Sequence, residues 1–297
     1  MAMDQIGIIG VGNMGAPMAQ HLLDLGARLT VCDLDPQAIA PLAARGAAVA
    51  ASPKELANQV DIILSSMPSR AASIEVAMGE QGVVHGRKVK VYAETSTLGS
   101  AAMRELGSAM TARNIGFLDA PISGGPPGAR AGTLSILVSG AKDTFERARA
   151  VLGMVAAYVF YLGEQPGISQ IVKLINNHVS AAGRLAVLEG LAMGVKAGID
   201  PKTLNDVLNV SSGRNYTTTD KVPAAILTGT YKFNGPLTIG LKDQALLLEE
   251  ARQLGARLWI APRVLETYEE AAAAGYRDQD GMRLFLYMQE QSAKPEG

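Results

Sequence analysis

Short apolar runs alternate with amphipathic segments through the first half of the chain. Runs at 6–10, 28–33, 60–67, 88–94, 115–121 and 133–140 are rich in Ile, Val and Leu and are bounded by Gly, Pro, Asn or Asp, which is the signature of strands. Apolar positions recur at a helical period over 13–25, 36–44, 70–78 and 99–112. Strands alternating with helices predict an α/β fold, a parallel, doubly wound sheet with crossover helices. A last strand is expected at 158–163. Beyond Gly163 the pattern changes to helical runs at 166–197, 201–209, 217–227, 240–256, 260–274 and 281–290, separated by turns with Gly, Asn and Pro. The chain therefore divides into an α/β domain over 1–164 and an all-helical domain over 165–297, with the tail from 292 expected to fray.

Composition narrows the partners. The 297 residues are 48% apolar, ample for a packed core, and carry a net charge of −1. No basic block stands out, which argues against nucleic acid or an anionic membrane as a partner. A single cysteine, Cys32, excludes a disulfide framework and a cysteine metal site, and fits the reducing cytoplasm. His21, His85 and His178 have no spacing that suggests a metal or a catalytic triad, so no metal is expected. No uncharged apolar stretch is long enough to span a bilayer, and the opening residues lack the basic n-region of a signal peptide.

The first strand runs into Gly-Val-Gly-Asn-Met-Gly, which sets Gly10, Gly12 and Gly15 in the G-x-G-x-x-G spacing, with Asn13 and Met14 in the loop. The spacing alone is weak. Following a strand and opening a helix, it is the phosphate-binding turn of a Rossmann-type domain: a tight turn, a close approach for pyrophosphate, and tight helix–strand packing. The phosphates would sit on the helix N-terminus. Asp33 lies 18 residues past Gly15, at the end of the second strand, where a carboxylate can accept from ribose hydroxyls and repel a 2′-phosphate. That favours NAD, with NADP possible and Asp35 as the register alternative.

The run Gly167–Gly190 reads as one helix, largely apolar, with Lys173 in its first half. No Asp or Glu occurs between Glu164 and Glu189. Ser169, Gln170, Asn176, Asn177, Ser180 and Arg184 share the lysine's face at helical spacing, and the other sides are apolar enough to be buried. A solvated polar face is the bland reading; neutral amides and hydroxyls in place of a Glu/Lys mixture point instead to a general acid or base. Oxidation of an alcohol needs such a base, and a buried amine remote from carboxylates favours its neutral form. The segment Pro121–Ala129, with Ser123, Gly124 and Gly125, reads as a loop that is either an anion-binding concavity or a tight turn.

Four blocks in order, at 7–26, 119–140, 167–177 and 241–251, resemble the β-hydroxyacid dehydrogenase family over nearly the whole chain, and 208–216 is similar to its 3-hydroxyisobutyrate branch. The resemblance implies a Rossmann-type domain, a long interdomain helix and a helical domain that builds a homodimer or homotetramer. It assigns Lys173 as the catalytic residue, Ser123, Gly124, Gly125 and Asn177 to the substrate, and Met67, Pro68, Thr97 and Lys242 to the cofactor beside the glycine loop and Asp33. The implied activity is hydride transfer between NAD and a small hydroxy acid or semialdehyde. Glu94 stands where the family usually has Asp. Asn176 and Ser180 replace the His and Glu of the related decarboxylating 6-phosphogluconate dehydrogenases, and Lys173 argues against imine reductases. A tartronate semialdehyde or other semialdehyde reductase is the runner-up, and a non-catalytic nucleotide-binding scaffold is the alternative of another class.

Overall fold

The computed structural model describes residues 5–293; positions 1–4 of the opening stretch and 294–297 of the expected frayed tail lie outside the described residues. The chain forms two compact units, Met1–Lys173 and Leu174–Gly297.

Among the described residues, the first unit is built on a sheet of nine strands. β1 (Ile6–Ile9), β2 (Leu29–Cys32), β3 (Ala48–Val49), β4 (Ile62–Ser65), β5 (Val91–Glu94) and β6 (Gly116–Asp119) lie parallel in the order β3-β2-β1-β4-β5-β6. β7 (Ile122–Ser123), β8 (Leu134–Ser139) and β9 (Ala156–Gly163) extend it, β8 running antiparallel to β6 and β7 and parallel to β9. The register sets Ile9 beside Cys32 and Ser65, Ser65 beside Glu94, and Glu94 beside Asp119. The residues that follow leave the sheet along one edge. Strand order reverses between β1 and β4, the switch point where open α/β sheets bind ligands.

Period-2 alternation sends side chains to both faces, and both are covered. Ile8, Val31, Ile62 and Leu64 pack with Met18, Ala19 and Leu22 of α1 (Gly15–Asp24) and with Phe145, Ala148 and Leu152 of α7 (Lys142–Val155). Ile9, Ile63 and Tyr92 pack on the other side with Leu56 of α3 (Pro53–Ala57) and Met103, Leu106 and Met110 of α5 (Ser100–Thr111). α2 (Pro36–Ala43) and α4 (Arg70–Met78) fall where the periodicity places them.

Three features depart from the sequence reading. β3 and β7 have two residues each and α3 has five, too short for a period to register. α7 has a clear apolar stripe through Phe145, Ala148, Val151, Leu152 and Val155 and runs into β9 without a turn, so no punctuation marks its end. The segment after Ser123 is not a loop: it forms α6 (Gly125–Ala131), with two prolines in the first turn, where no N–H partner is required.

The second unit contains most of α8 (Ile168–Lys196), then α9 (Pro201–Val210), a π-helix over Thr217–Ile226, α10 (Leu237–Gln253), α11 (Ala261–Ala271), a π-helical turn Ala272–Tyr276 and α12 (Leu284–Ala293). Pro223 sits inside the first π-helix, where a missing N–H and a bulky ring disfavour regular α-helical bonding. Leu188, Leu191, Tyr268 and Leu284 form its core. The apolar sides of α8 are only partly buried: Leu174 is, whereas Ile175, Val179 and Met193 are exposed. No helix among the described residues is long and apolar enough to cross a membrane.

Candidate active site

The edge of the sheet at the switch point carries the glycine turn. Gly10 has φ +84°, and a Cβ there would collide with the Ser66 carbonyl and the Met67 side chain. A Cβ on Gly15 would strike the Gly10 carbonyl oxygen, so the helix can start this close to β1 only with glycine. Nothing lies within 4 Å of a Cβ built on Gly12, and Gly12 and Asn13 are exposed beside half-buried Met14: backbone there is open to a phosphate.

Asp33 is tied to this loop. Its Oδ2 accepts from Val11 N at 2.7 Å and its Oδ1 from Asp35 N at 2.9 Å. Asp35 caps α2 by accepting from Gln37 N. Met67 N donates to Ser96 Oγ at 2.7 Å, joining the loop after β4 to the one after β5, with Pro68 exposed and Thr97 half-buried nearby in sequence.

The start of α8 is bound into the same edge. Gln170, fully buried, accepts from Leu98 N (2.8 Å) and Gly99 N (3.1 Å) through Oε1 and donates to Ser96 O (3.1 Å) and Asp119 Oδ1 (2.6 Å) through Nε2. The amide's hydrogen-bonding capacity is fully used. Asp119 Oδ2 accepts from Gly167 N (2.9 Å) and Ser139 Oγ (3.2 Å). Burial raises the Asp119 carboxyl to about 7 against the pull of these donors. Ser169 Oγ donates to Ser139 Oγ at 3.0 Å. Lys173, three residues beyond Gln170, is buried, with 8% of its surface exposed. Glu94 is also buried: its longer side chain accepts from Ser96 N and Tyr92 OH, both at 3.0 Å, and burial raises its pKa.

In the second unit Asn177 Nδ2 donates to Asp243 Oδ2 at 2.6 Å, and Lys242 Nζ lies 3.0 Å from Asp243 Oδ1. A carboxylate only accepts, so Asn177 must present its NH2 group to Asp243; Asn177 Oδ1 accepts from Asn176 Nδ2. His178 Nδ1 contacts Gln244 Oε1 at 2.9 Å. Ser123 pairs with Ser135 in the first unit's sheet, and Gly124 and Gly125 follow with φ +126° and +62°.

Residues 5–163 match the NAD-binding domain of 6-phosphogluconate dehydrogenase, and residues 167–287 match the family described as NAD-binding of NADP-dependent 3-hydroxyisobutyrate dehydrogenase. The mitochondrial 3-hydroxyisobutyrate dehydrogenase of Rattus norvegicus is 32% identical, over 96% of this chain and 87% of its own. The 2-(hydroxymethyl)glutarate dehydrogenase of Eubacterium barkeri is 30% identical, over 93% and 92%. A crystal structure of 3-hydroxyisobutyrate dehydrogenase from Salmonella typhimurium superposes with a TM-score of 0.86 at 30% identity, covering 96% of this chain and 100% of that one. The chain belongs to the β-hydroxyacid dehydrogenase family. It is an NAD(P)-dependent oxidoreductase acting on CH–OH donors.

For this β-hydroxyacid dehydrogenase, the structure gives Gln170 a partner that helical spacing could not name, and adds two acids that spacing did not single out. Asp119 and Gln170 hold the start of the lysine helix, and Asp243 orients Asn177 and engages Lys242. Asp119 and Asp243 are acids that are almost fully buried, yet in sequence they read as ordinary polar residues of a strand end and a helix. Arg214 is exposed and forms no ion pair among the described residues.

Proposed function

We propose that the chain oxidises a small 3-hydroxy acid of the 3-hydroxyisobutyrate type to its semialdehyde, with Lys173 as the general base. A buried lysine on a helix start locked to the nucleotide-binding edge carries this reading. NAD(P)+ supplies the hydride acceptor. Gly10, Gly12, Asn13, Met14 and Gly15 cradle its phosphates, Asp33 takes the ribose, and Met67, Pro68, Thr97 and Lys242 contact the rest. Ser123 and the Gly124 and Gly125 amides hold the substrate carboxylate, and Asn177 orients the substrate. The neutral Lys173 amine takes the hydroxyl proton as hydride leaves the carbinol carbon; in reduction the ammonium returns it. Asp33 favours NAD, since its carboxylate repels a 2′-phosphate. The NADP-dependent description of the matching family makes a direct comparison of the two cofactors worthwhile.

Tartronate semialdehyde reduction uses the same groups in reverse and is the second reading. Exposed Ile175, Val179 and Met193 along α8 support a homodimer or homotetramer. The single buried cysteine fits a cytoplasmic enzyme, although the mammalian relatives are mitochondrial.

Steady-state kinetics with NAD+ and NADP+ on 3-hydroxyisobutyrate, tartronate semialdehyde and 2-(hydroxymethyl)glutarate test the proposal. Lys173→Ala should lower kcat by about 10²–10⁴-fold. No hydride transfer with any hydroxy acid, or unchanged turnover in Lys173→Ala, sinks the enzyme reading in favour of a scaffold.

A further inference from the structure

The second unit carries an open pocket of about 180 Å³ whose lining includes Asn177, Ser180, Arg184, Lys221, Ile239 and Asp243. Asp243 is engaged by Asn177 and Lys242. Two further cations face this space, and neither forms an ion pair among the described residues.

Arg184 is held rigidly. Its guanidinium lies 5.4 Å from the Tyr268 ring centroid, and Nη2 donates to Tyr268 OH at 2.5 Å. A Cβ on Gly281 would meet the guanidinium at 2.5 Å, so glycine there leaves it room. Its Nε is buried without a hydrogen-bond partner. Lys221 reaches in from the π-helix, with Nζ 5.2 Å from the Tyr216 ring and 5.8 Å from Phe233. Two acids, Asp280 and Asp220, act on Lys221 and partly offset the cost of its charge, while each also accepts hydrogen bonds of its own. Asp280 accepts from the backbone of Phe233, Gly235 and Met282, and Asp220 accepts from the Thr219 hydroxyl. Burial, and then the Arg184 charge, pull the Lys221 ammonium down to about 8. Two like charges set together in a partly buried cavity are costly, and an anion between them offsets that cost.

We infer that Arg184 and Lys221 form a subsite for a second anionic group, a carboxylate or phosphate at the distal end of the substrate. The inference rests on the proposed dehydrogenase function and narrows its substrate to a dianionic 3-hydroxy acid. Asn177 lines the same cavity. Arg184 follows it by seven residues, roughly 10 Å along the helix, so the distal group sits several carbons from the reacting carbinol. Ile239 and Ala181 contribute apolar wall for the intervening methylenes.

The test uses the full chain as wild type, Lys221→Met and Lys221→Arg. Substrates are 3-hydroxyisobutyrate and its homologues bearing a second carboxylate, or a phosphate, two to four methylenes from the α-carbon. The ratio of kcat/KM for the dianionic over the monoanionic substrate should fall at least tenfold in Lys221→Met and recover in Lys221→Arg. Whichever terminal group shows the larger ratio identifies the anion. Independently of turnover, glutarate or adipate should raise the wild-type Tm above that in sodium chloride of equal ionic strength, and should do so less in Lys221→Met. A ratio within twofold of wild type in Lys221→Met, with glutarate and adipate protecting both proteins equally, overturns the subsite. If the wild type oxidises no hydroxy acid, the dehydrogenase reading fails and the dicarboxylate protection alone decides the subsite. If Lys221→Met does not fold, Lys221→Gln takes its place.

Discussion

Gln170 Nε2 donates to Asp119 Oδ1 at 2.6 Å, so the helix that carries Lys173 starts from a buried carboxylate at the end of β6. On its other side the same amide accepts from Leu98 N and Gly99 N. One side chain thereby ties the start of the lysine's helix to two loops of the sheet edge.

Gln170→Ala strips partners from Asp119 and from two buried N–H groups. Each orphaned group costs about 1–3 kcal/mol, so urea unfolding should show a loss of about 3 kcal/mol or more. Turnover should fall at least tenfold because Lys173, one turn on, loses its placement. Wild-type stability and kcat in the variant would falsify the anchoring role.

Asp119 makes stability depend on pH. Its carboxyl stands at about 7 in the fold, against an ordinary 3.8. Between those values the folded state holds a proton that the unfolded state has released, so stability falls as pH rises through this window. Buried Glu94, also raised, acts in the same direction. Tm measured from pH 4 to 8 should decline, and Asp119→Asn should flatten part of the slope. An unchanged slope in Asp119→Asn would assign the dependence to other groups.

Asp33→Ala removes the acceptor of Val11 N and the carboxylate proposed for the ribose. KM for NAD+ should rise about tenfold or more, since hydrogen bonds to a charged group are worth about 1.5–3 kcal/mol. The preference for NAD+ over NADP+ proposed from this carboxylate should shrink at the same time. Cofactor titrations of both enzymes with each nucleotide check it, and an unaltered NAD+/NADP+ ratio counts against Asp33 as the discriminator.

Asp243→Ala leaves Asn177 Nδ2 and Lys242 Nζ without their shared carboxylate. KM for the hydroxy acid should rise several-fold. Asp243→Asn, which can still accept one hydrogen bond, should be affected less. Equal kinetics in the two variants would mean that the charge, and not the orientation of Asn177, is what matters.

Cys32 is 5% exposed, and burial followed by the Asp33 charge raises its thiol to about 11. The native enzyme should therefore resist thiol reagents at pH 8, where the thiolate fraction is very small, and react stoichiometrically once unfolded in urea. Rapid labelling of the folded protein would contradict this burial.

Elements with a long period and clear punctuation were legible: α1, α5, α8 and the strands β1, β2, β4 and β5 stand within a few residues of their expected limits. The two-residue strands and α3 are shorter than any repeat that could announce them. The Gly-Gly-Pro-Pro segment reads as a turn by composition, yet prolines in a first helical turn are compatible with α6. Ile175 and Val179 have the composition of a buried side but are exposed in the single chain, because periodicity reports which residues share a face and not what covers it.

The order of strands and helices, the glycine turn and the position of Asp33 follow from local sterics and spacing, which a chain carries in its residues without reference to distant ones. The link from Gln170 to Asp119 spans 51 positions, and that from Asn177 to Asp243 spans 66. A polar side chain declares its partner only when folding removes water and leaves one donor within reach of one acceptor. The tertiary structure alone therefore decided that the buried acids Asp119 and Asp243 serve as anchors, and that Arg184 and Lys221, 37 residues apart, face one cavity.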